Sequence, residues 1–175
     1  GKHTLEYTPY FSEAKLYESL AEDIHTPNTS TFNSPNICII LLESFGAEYT
    51  KINRSGRPSY TPFLDSLMDV SINYTNAYAN GLRSMDAVAS VYGGVPSLMK
   101  QPLLGSLYST VELSSLPSKL KELGYFSSFY HAADELSMGF KPFLLSQGLD
   151  EYQAKQQYPN TADFDGTWGI FDGPY

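Results

Sequence analysis

Basic residues are scarce in this sequence, where 11 lysines and arginines stand against 19 aspartates and glutamates and the net charge is −8. A protein that binds nucleic acid normally carries a basic face, so the charge excludes nucleic acid as the expected partner. It also argues against docking on anionic lipid by charge alone. The charge leaves open a buried site for a metal cation.

Cysteine is almost absent, because Cys38 is the only one, and a single thiol excludes an internal disulfide. It lies in an apolar run, so we expect a small buried thiol. A catalytic cysteine needs a cationic, partly open surrounding, and residues 36–40 do not offer one.

Long hydrophobic runs are also missing. None approaches the ~20 apolar residues of a membrane-spanning helix, and no signal peptide is visible. The chain begins at Gly1 without a methionine and ends at Tyr175 without a terminal element, so we expect a piece of a longer protein. With 42 % hydrophobic residues, the chain has the composition of a folded domain with a core.

Two parts are expected along the chain. Tyr10 to Ile24 has apolar residues at helical spacing, and Ser12 with Glu13 suits the start of a helix. His25 to Pro35 has the composition of a linker. Residues 1–34 are therefore predicted to be a helix and linker, and residues 35–175 a compact domain.

The domain alternates strand and helix patterns. Strands are predicted at Asn36–Leu42, at Ile72–Ala79 and at Phe126–His131. Helices are predicted at Thr61–Val70, Ser84–Tyr92, Ser115–Leu123 and Phe140–Gln147, with Gly124 and Gly148 as stops. This order predicts an α/β fold, a three-layer sandwich with a mostly parallel sheet.

The candidate site residues lie at the ends of predicted strands and at the start of one predicted helix. Glu43 follows the first strand, at the end of a parallel sheet where ligands bind, and suits a divalent cation or a base; a solvent-exposed polar residue is an equal alternative. Ser84 opens a helix whose N-terminus favours an anion, although from the residues alone an ordinary N-cap is the simpler interpretation. Arg83 suits phosphate binding or simple solvation.

His131 ends the third strand, and Asp134 lies three residues further on. Either suits a metal or a substrate, and a structural histidine is the alternative. The segment from Asp163 to Asp172 carries three aspartates among glycines. Its spacing fails the calcium-loop pattern, so a turn with a docked Trp168 is the simpler prediction.

Taken in order, these segments resemble the lipoteichoic acid synthase-like phosphoglycerol transferases, which belong to the sulfatase branch of the alkaline-phosphatase superfamily. The resemblance rests on Asn36–Phe45, Asn80–Asp86, Gly93–Leu98, Phe129–His131, Met138–Phe140 and Asp165–Asp172. It covers the chain from about Pro35 to the C-terminus.

The resemblance implies a metal-dependent transferase that moves a phosphoglycerol-type group through a covalent intermediate. Glu43 matches the family's metal-binding glutamate, and the metal is manganese, with Mg²⁺ or Zn²⁺ as alternatives. Ser84 matches the hydroxyl nucleophile, which also contacts the metal; many synthases have threonine there. The implied substrate is the head group of a phospholipid or a polyol phosphate.

The resemblance further implies that His131 and Asp134 contact the substrate. The synthases follow this pair with a tryptophan and an arginine, which Ser137 to Phe140 lacks. The family's remaining metal ligands, an Asp-His pair, lie in the second half of the domain. We therefore expect the 175-residue chain alone to be inactive, largely metal-free and prone to self-association. Relatives usually carry membrane helices, so the expected location is a bacterial membrane, with the domain on the extracytoplasmic side.

Two rival functions remain open. A phosphodiesterase or phosphatase would use water in place of the acceptor. Sulfatase activity itself is disfavoured, because Ser84 to Val88 lacks the proline and arginine of the formylglycine motif. The other rival is a non-catalytic binding domain that keeps the fold.

Overall fold

The computed structural model of the chain describes Ser12, Ala14, Lys15, Glu18, residues 33–53, Gly56 and residues 58–175. The chain divides into two units, Gly1–Leu41 and Leu42–Tyr175. In the first unit, Ala14, Lys15 and Glu18 are helical. The amide of Lys15 donates to Ser12 Oγ at 3.3 Å, as expected of a capping serine. Most of the predicted Tyr10–Ile24 helix and of the linker lies outside the described residues.

The second unit contains four α-helices and two strands among its described residues. In chain order they are α1 Pro62–Met68, α2 Ser84–Gly93, α3 Leu116–Glu122, β1 Ser128–Tyr130, α4 Phe140–Ser146 and β2 Glu151–Gln153. Strands β1 and β2 are parallel, with Phe129 opposite Tyr152. The α/β prediction is therefore confirmed. The sheet is parallel, and the chain between its two strands includes α4.

All four predicted helices are present, because their boundary signals are local. Pro62 occupies the first turn of α1, where its missing N–H costs nothing. The chain leaves α2 through Gly94, at φ 65°. Gly148 follows α4 at φ 88°, and a Cβ there would lie 3.5 Å from Ser118. Glycine thus allows the left-handed conformation after both helices, while the distance to Ser118 alone would admit a Cβ.

The core of the unit joins both strands to α2 and α4. Its buried members are Val88, Ala89, Leu104, Phe129, Phe140, Phe143, Leu144, Leu149, Tyr152 and Ala154. The two aromatic residues that face each other across the strand pair, Phe129 and Tyr152, stack with ring centroids 5.4 Å apart. The aromatic-rich strand at Phe126–His131 is thus confirmed in its centre, as β1.

Two predicted strands are wrong for the described residues. Asn36–Leu42 and Ile72–Ala79 belong to no ladder, and Ile40 is 75 % exposed. A strand buried on both faces needs paired neighbours and covering helices, and the described residues pair only β1 with β2. Cys38, predicted to be buried within the first of these runs, is exposed for the same reason.

The turn at Asp165 is confirmed, but its tryptophan is not docked. Asp165 Oδ1 accepts hydrogen bonds from the amides of Thr167, Trp168 and Gly169, which lowers the pKa of Asp165. Gly169 is needed because a Cβ would lie 2.5 Å from the Ala132 carbonyl oxygen. The turn leaves the Trp168 side chain 58 % exposed, so the prediction of a docked ring is wrong.

Candidate functional site

Ser84 is the first residue of α2, and its side chain is half-buried. The N-cap is Arg83, which makes no side-chain capping bond. The hydroxyl of Ser84 donates to the sulfur of Met138 at 3.6 Å. Ser84 is therefore not an ordinary N-cap, and its hydroxyl lies at the positive end of a ten-residue helix.

The loop that presents Ser84 is tied to the segment beyond the end of α2. Asn80 Nδ2 donates to Ser90 Oγ at 3.1 Å, and Ser90 Oγ has two carbonyl acceptors for its single proton, that of Asp86 at 2.9 Å and that of Val95 at 3.0 Å. The Arg83 guanidinium donates to the Lys100 carbonyl at 3.0 Å. These bonds attach the loop before Ser84 to α2 and to the segment that follows α2.

Met138 has an unusual backbone conformation next to Ser84. Its φ of 54° lies in the left-handed region, which costs a non-glycine residue on the order of 1–3 kcal/mol. Such strain persists only where the surroundings enforce it, and it is concentrated at functional sites. Here the strained residue contacts the hydroxyl of the candidate nucleophile.

His131 follows β1 directly and stays attached to the sheet. Its amide donates to the Gln153 carbonyl at 2.9 Å. Its ring meets Phe140 edge-on, with centroids 5.1 Å apart, and its Nδ1 lies 3.4 Å from Tyr152 Oη. Burial lowers the pKa of His131, so the ring is neutral at pH 7.

Asp134 lies in the loop after His131 with both carboxylate oxygens engaged. Oδ1 accepts from the Leu136 amide at 2.9 Å, and Oδ2 accepts from Gln156 Nε2 at 2.6 Å. The bond from the Leu136 amide is the main cause of the lowered pKa of Asp134. The carboxylate is held ionised, in a fixed orientation.

The segment Met138–Phe140 connects Ser84 with His131. Met138 contacts the Ser84 hydroxyl, and the ring of Phe140, two residues later, contacts the His131 ring. The sequence alone did not identify Met138, Tyr152 or Gln156 as partners of the site. The available signal was the alternation of polar and apolar residues from Glu151 to Ala154, which is typical of a strand.

Among the described residues, Glu43 makes no contact with the other candidate site residues. It is exposed, and its carboxylate accepts a hydrogen bond from its neighbour Ser44 at 3.3 Å. Ser44 has φ 50°, so the chain turns sharply at this point. The predicted strand that should place Glu43 at the sheet edge is not formed.

A metal centre does not assemble from the described residues. No group of three or more His, Cys, Asp or Glu side chains in this part of the chain could hold an ion, whereas stable sites of zinc and similar ions use three or four protein ligands. The pair of Glu43 and Ser84 therefore does not fit a metal by itself.

None of the helices in the described residues is both long and apolar enough to cross a membrane.

Comparison with known proteins relates this arrangement to a family. The family model described as Sulfatase matches residues 35–172. Among solved structures, a protein in the alkaline phosphatase superfamily from Vibrio parahaemolyticus matches with 28 % identity and a TM-score of 0.58. The lipoteichoic acid synthase LtaP from Listeria monocytogenes matches with 20 % identity and a TM-score of 0.54. A comparison with curated proteins gives no match.

The two structural matches cover only part of each molecule. They include 63 % and 66 % of this chain, but 27 % and 28 % of the Vibrio and Listeria chains. The chain thus spans about a quarter of the structures that it matches. Since the family model matches well over half of its residues, the chain belongs to the sulfatase family, and its fold is that of the alkaline-phosphatase superfamily.

Proposed function

We propose that the full-length protein is a transferase or hydrolase of a phosphoryl- or sulfuryl-type ester, with Ser84 as its nucleophile. The single observation that carries the proposal is the state of the Ser84 hydroxyl. It caps no backbone amide at the start of α2 and contacts a thioether instead. Within a chain of the sulfatase family, a half-buried hydroxyl at a helix N-terminus is positioned to attack an anionic centre.

The proposed reaction moves a phosphoglycerol-type group from a phosphodiester. Ser84 Oγ forms a bond to phosphorus, the bond from phosphorus to the leaving oxygen breaks, and the hydroxyl proton passes through a base to that oxygen. An acceptor hydroxyl then forms its own bond to phosphorus, while the bond to Ser84 Oγ breaks and Ser84 regains a proton. With water as the acceptor, the same sequence is hydrolysis.

In this proposal His131 and Asp134 contact the substrate. His131 is neutral and half-buried beside the segment that touches Ser84. The fixed carboxylate of Asp134 accepts hydrogen bonds and suits a hydroxyl of a polyol head group better than a phosphate oxygen. The head group of a phospholipid or a polyol phosphate offers both a phosphate and hydroxyls.

For the full-length protein we also propose a divalent cation, most simply Mn²⁺, for which Glu43 and Ser84 would supply two of the ligands; the described residues do not bring these two together. Since the described residues do not complete such a site, no step is assigned to the ion. The proposed location is a bacterial membrane, with the domain on the extracytoplasmic side.

Turnover of a phosphodiester panel by the full-length protein, in the presence of Mn²⁺, tests the proposal. Ser84→Ala should abolish turnover, while Ser97→Ala, a change at an exposed serine, should retain it. Lack of turnover across the panel would favour a non-catalytic binding domain. Equal activity of the two variants would exclude Ser84 as the nucleophile.

A further inference from the structure

The hydroxyl of Tyr152 reaches His131 because of the register of the two strands. Phe129 and His131 are two residues apart in extended chain and therefore point to the same face. Tyr152 lies opposite Phe129 in the parallel pair and stacks on its ring at an interplanar angle of 17°. This stacking places Tyr152 Oη 3.4 Å from His131 Nδ1.

The His131 ring is held in one orientation by aromatic neighbours. Phe140 meets it edge-on at 5.1 Å, and Phe129 lies 6.4 Å away. Phe129, Phe140 and Tyr152 are all buried, at 9 %, 3 % and 7 % exposure. Because these rings are packed in the core, the edge of the imidazole that carries Nδ1 stays turned toward Tyr152.

Both rings are uncharged at pH 7, so the contact between them joins a neutral imidazole and a neutral phenol. Burial lowers the pKa of His131, so the neutral imidazole carries one N–H and one acceptor nitrogen. Burial also raises the pKa of Tyr152, with smaller contributions from Tyr175, Glu135 and Asp134. The phenol keeps its proton at pH 7. Because a phenol O–H is a stronger hydrogen-bond donor than a neutral imidazole N–H, and an imidazole nitrogen is a stronger acceptor than a phenol oxygen, the 3.4 Å contact is best satisfied with Tyr152 donating a hydrogen bond to Nδ1.

We infer that Tyr152 is a positioning residue that holds His131 in the tautomer protonated at Nε2. The inference rests on the proposed function, because a fixed tautomer matters only if His131 contacts the substrate. A histidine fixed in this form presents an N–H donor on its other edge, which suits an oxygen of an anionic phosphodiester. The opposite tautomer would direct a lone pair at that oxygen and repel it.

The test is a long-range ¹H–¹⁵N correlation spectrum of the labelled 175-residue chain at pH 7.5. In the wild type, the His131 Nδ1 should resonate as an unprotonated acceptor and Nε2 as a protonated nitrogen. Tyr152→Phe keeps the stacked ring and removes only the hydroxyl, so the two ¹⁵N shifts should move toward each other as the tautomers mix. Tyr158→Phe is the matched control, since that hydroxyl donates to Asp163 Oδ2 at 2.8 Å and makes no contact with His131.

Two results would overturn the inference. One is a wild-type spectrum in which His131 Nδ1 carries the proton. This result is decisive even if the variant fails to fold. The other is a set of His131 shifts that Tyr152→Phe leaves unchanged. The proposed function fails separately: if His131→Ala in the full-length protein leaves KM for the phosphodiester unchanged, His131 is no substrate contact, whatever its tautomer.

Discussion

The hydroxyl of Ser115 donates a hydrogen bond of 2.6 Å to the main-chain carbonyl of Gln147, so that the start of α3 is bonded to the end of α4. Both side chains are buried, at 0 % and 2 % exposure. Ser115 Oγ also accepts from the Ser118 amide at 3.2 Å as the cap of α3. One hydroxyl thus caps a helix and fixes it against another.

We expect Ser115→Ala to lower the free energy of unfolding by about 1–3 kcal/mol, because it removes the cap and leaves a buried carbonyl without its partner. Urea unfolding followed by circular dichroism measures the change. The matched control is Ser114→Ala, at the exposed neighbouring serine, which should change stability by less than about 0.5 kcal/mol. Equal effects of the two variants would contradict the role given to Ser115.

Two adjacent leucines of α4 differ in how far they are buried in the hydrophobic core. Leu144 is 0 % exposed and Leu145 is 43 % exposed. Leu144→Ala should destabilise the chain by about 2–5 kcal/mol, because it removes buried methyl groups and leaves a cavity. Leu145→Ala should cost clearly less, as measured by urea unfolding. A similar loss at both positions would mean that the α4 face turned to the core is wrongly identified.

Acid should weaken the link between Asp150 and its partners. The hydrogen bond from Lys121, and then the Ser127 amide, hold the pKa of Asp150 below its ordinary value of 3.8. A carboxyl with a depressed folded-state pKa stabilises the fold fully above its ordinary pKa, and this stabilisation is lost as the pH falls through the folded-state value. Asp150→Asn should therefore flatten the fall of the urea midpoint between about pH 5 and about pH 2.

Lys121→Met serves as the partner variant, because it removes the largest cause of the shift and keeps the carboxyl. It should flatten the same pH profile only in part, since the Ser127 amide remains. Parallel profiles for Asp150→Asn and the wild type would rule out this contribution.

The 175-residue chain should self-associate at high concentration. Phe63, Val70 and Ile72 are each at least 80 % exposed, and exposed apolar surface promotes association. Sedimentation velocity should show a sedimentation coefficient that rises with protein concentration, and Phe63→Lys with Ile72→Lys should reduce the rise. A concentration-independent monomer would count against this expectation.

The helices could be predicted from the sequence because their signals lie within a few residues. The Thr61–Pro62 pair, the Ser115 cap and the glycines at 94, 124 and 148 fix helix ends locally. Strands depend on partners that are distant in sequence. The apolar runs at Asn36–Leu42 and Ile72–Ala79 therefore indicated strands that the described residues do not pair, and β2 was not predicted at all.

The candidate site also has features that the sequence could predict and contacts that it could not. The sequence could identify Ser84 as the start of a helix and His131 as the residue after a strand, since both positions are set locally. It could not show that Met138 contacts the Ser84 hydroxyl, because that contact spans 54 positions. Nor could it show that Tyr152 reaches His131, because that contact depends on the register of β1 and β2.

If Ser84 is the nucleophile, its side chain forms a covalent phosphoester during the reaction. The most direct test is rapid quenching of the full-length protein during turnover of a phosphodiester, followed by mass spectrometry of the peptide that contains Ser84. We expect a phosphoester on Ser84 that is absent in Ser84→Ala and present in Ser97→Ala. Turnover without any ester on Ser84, at quench times shorter than one catalytic cycle, would contradict it.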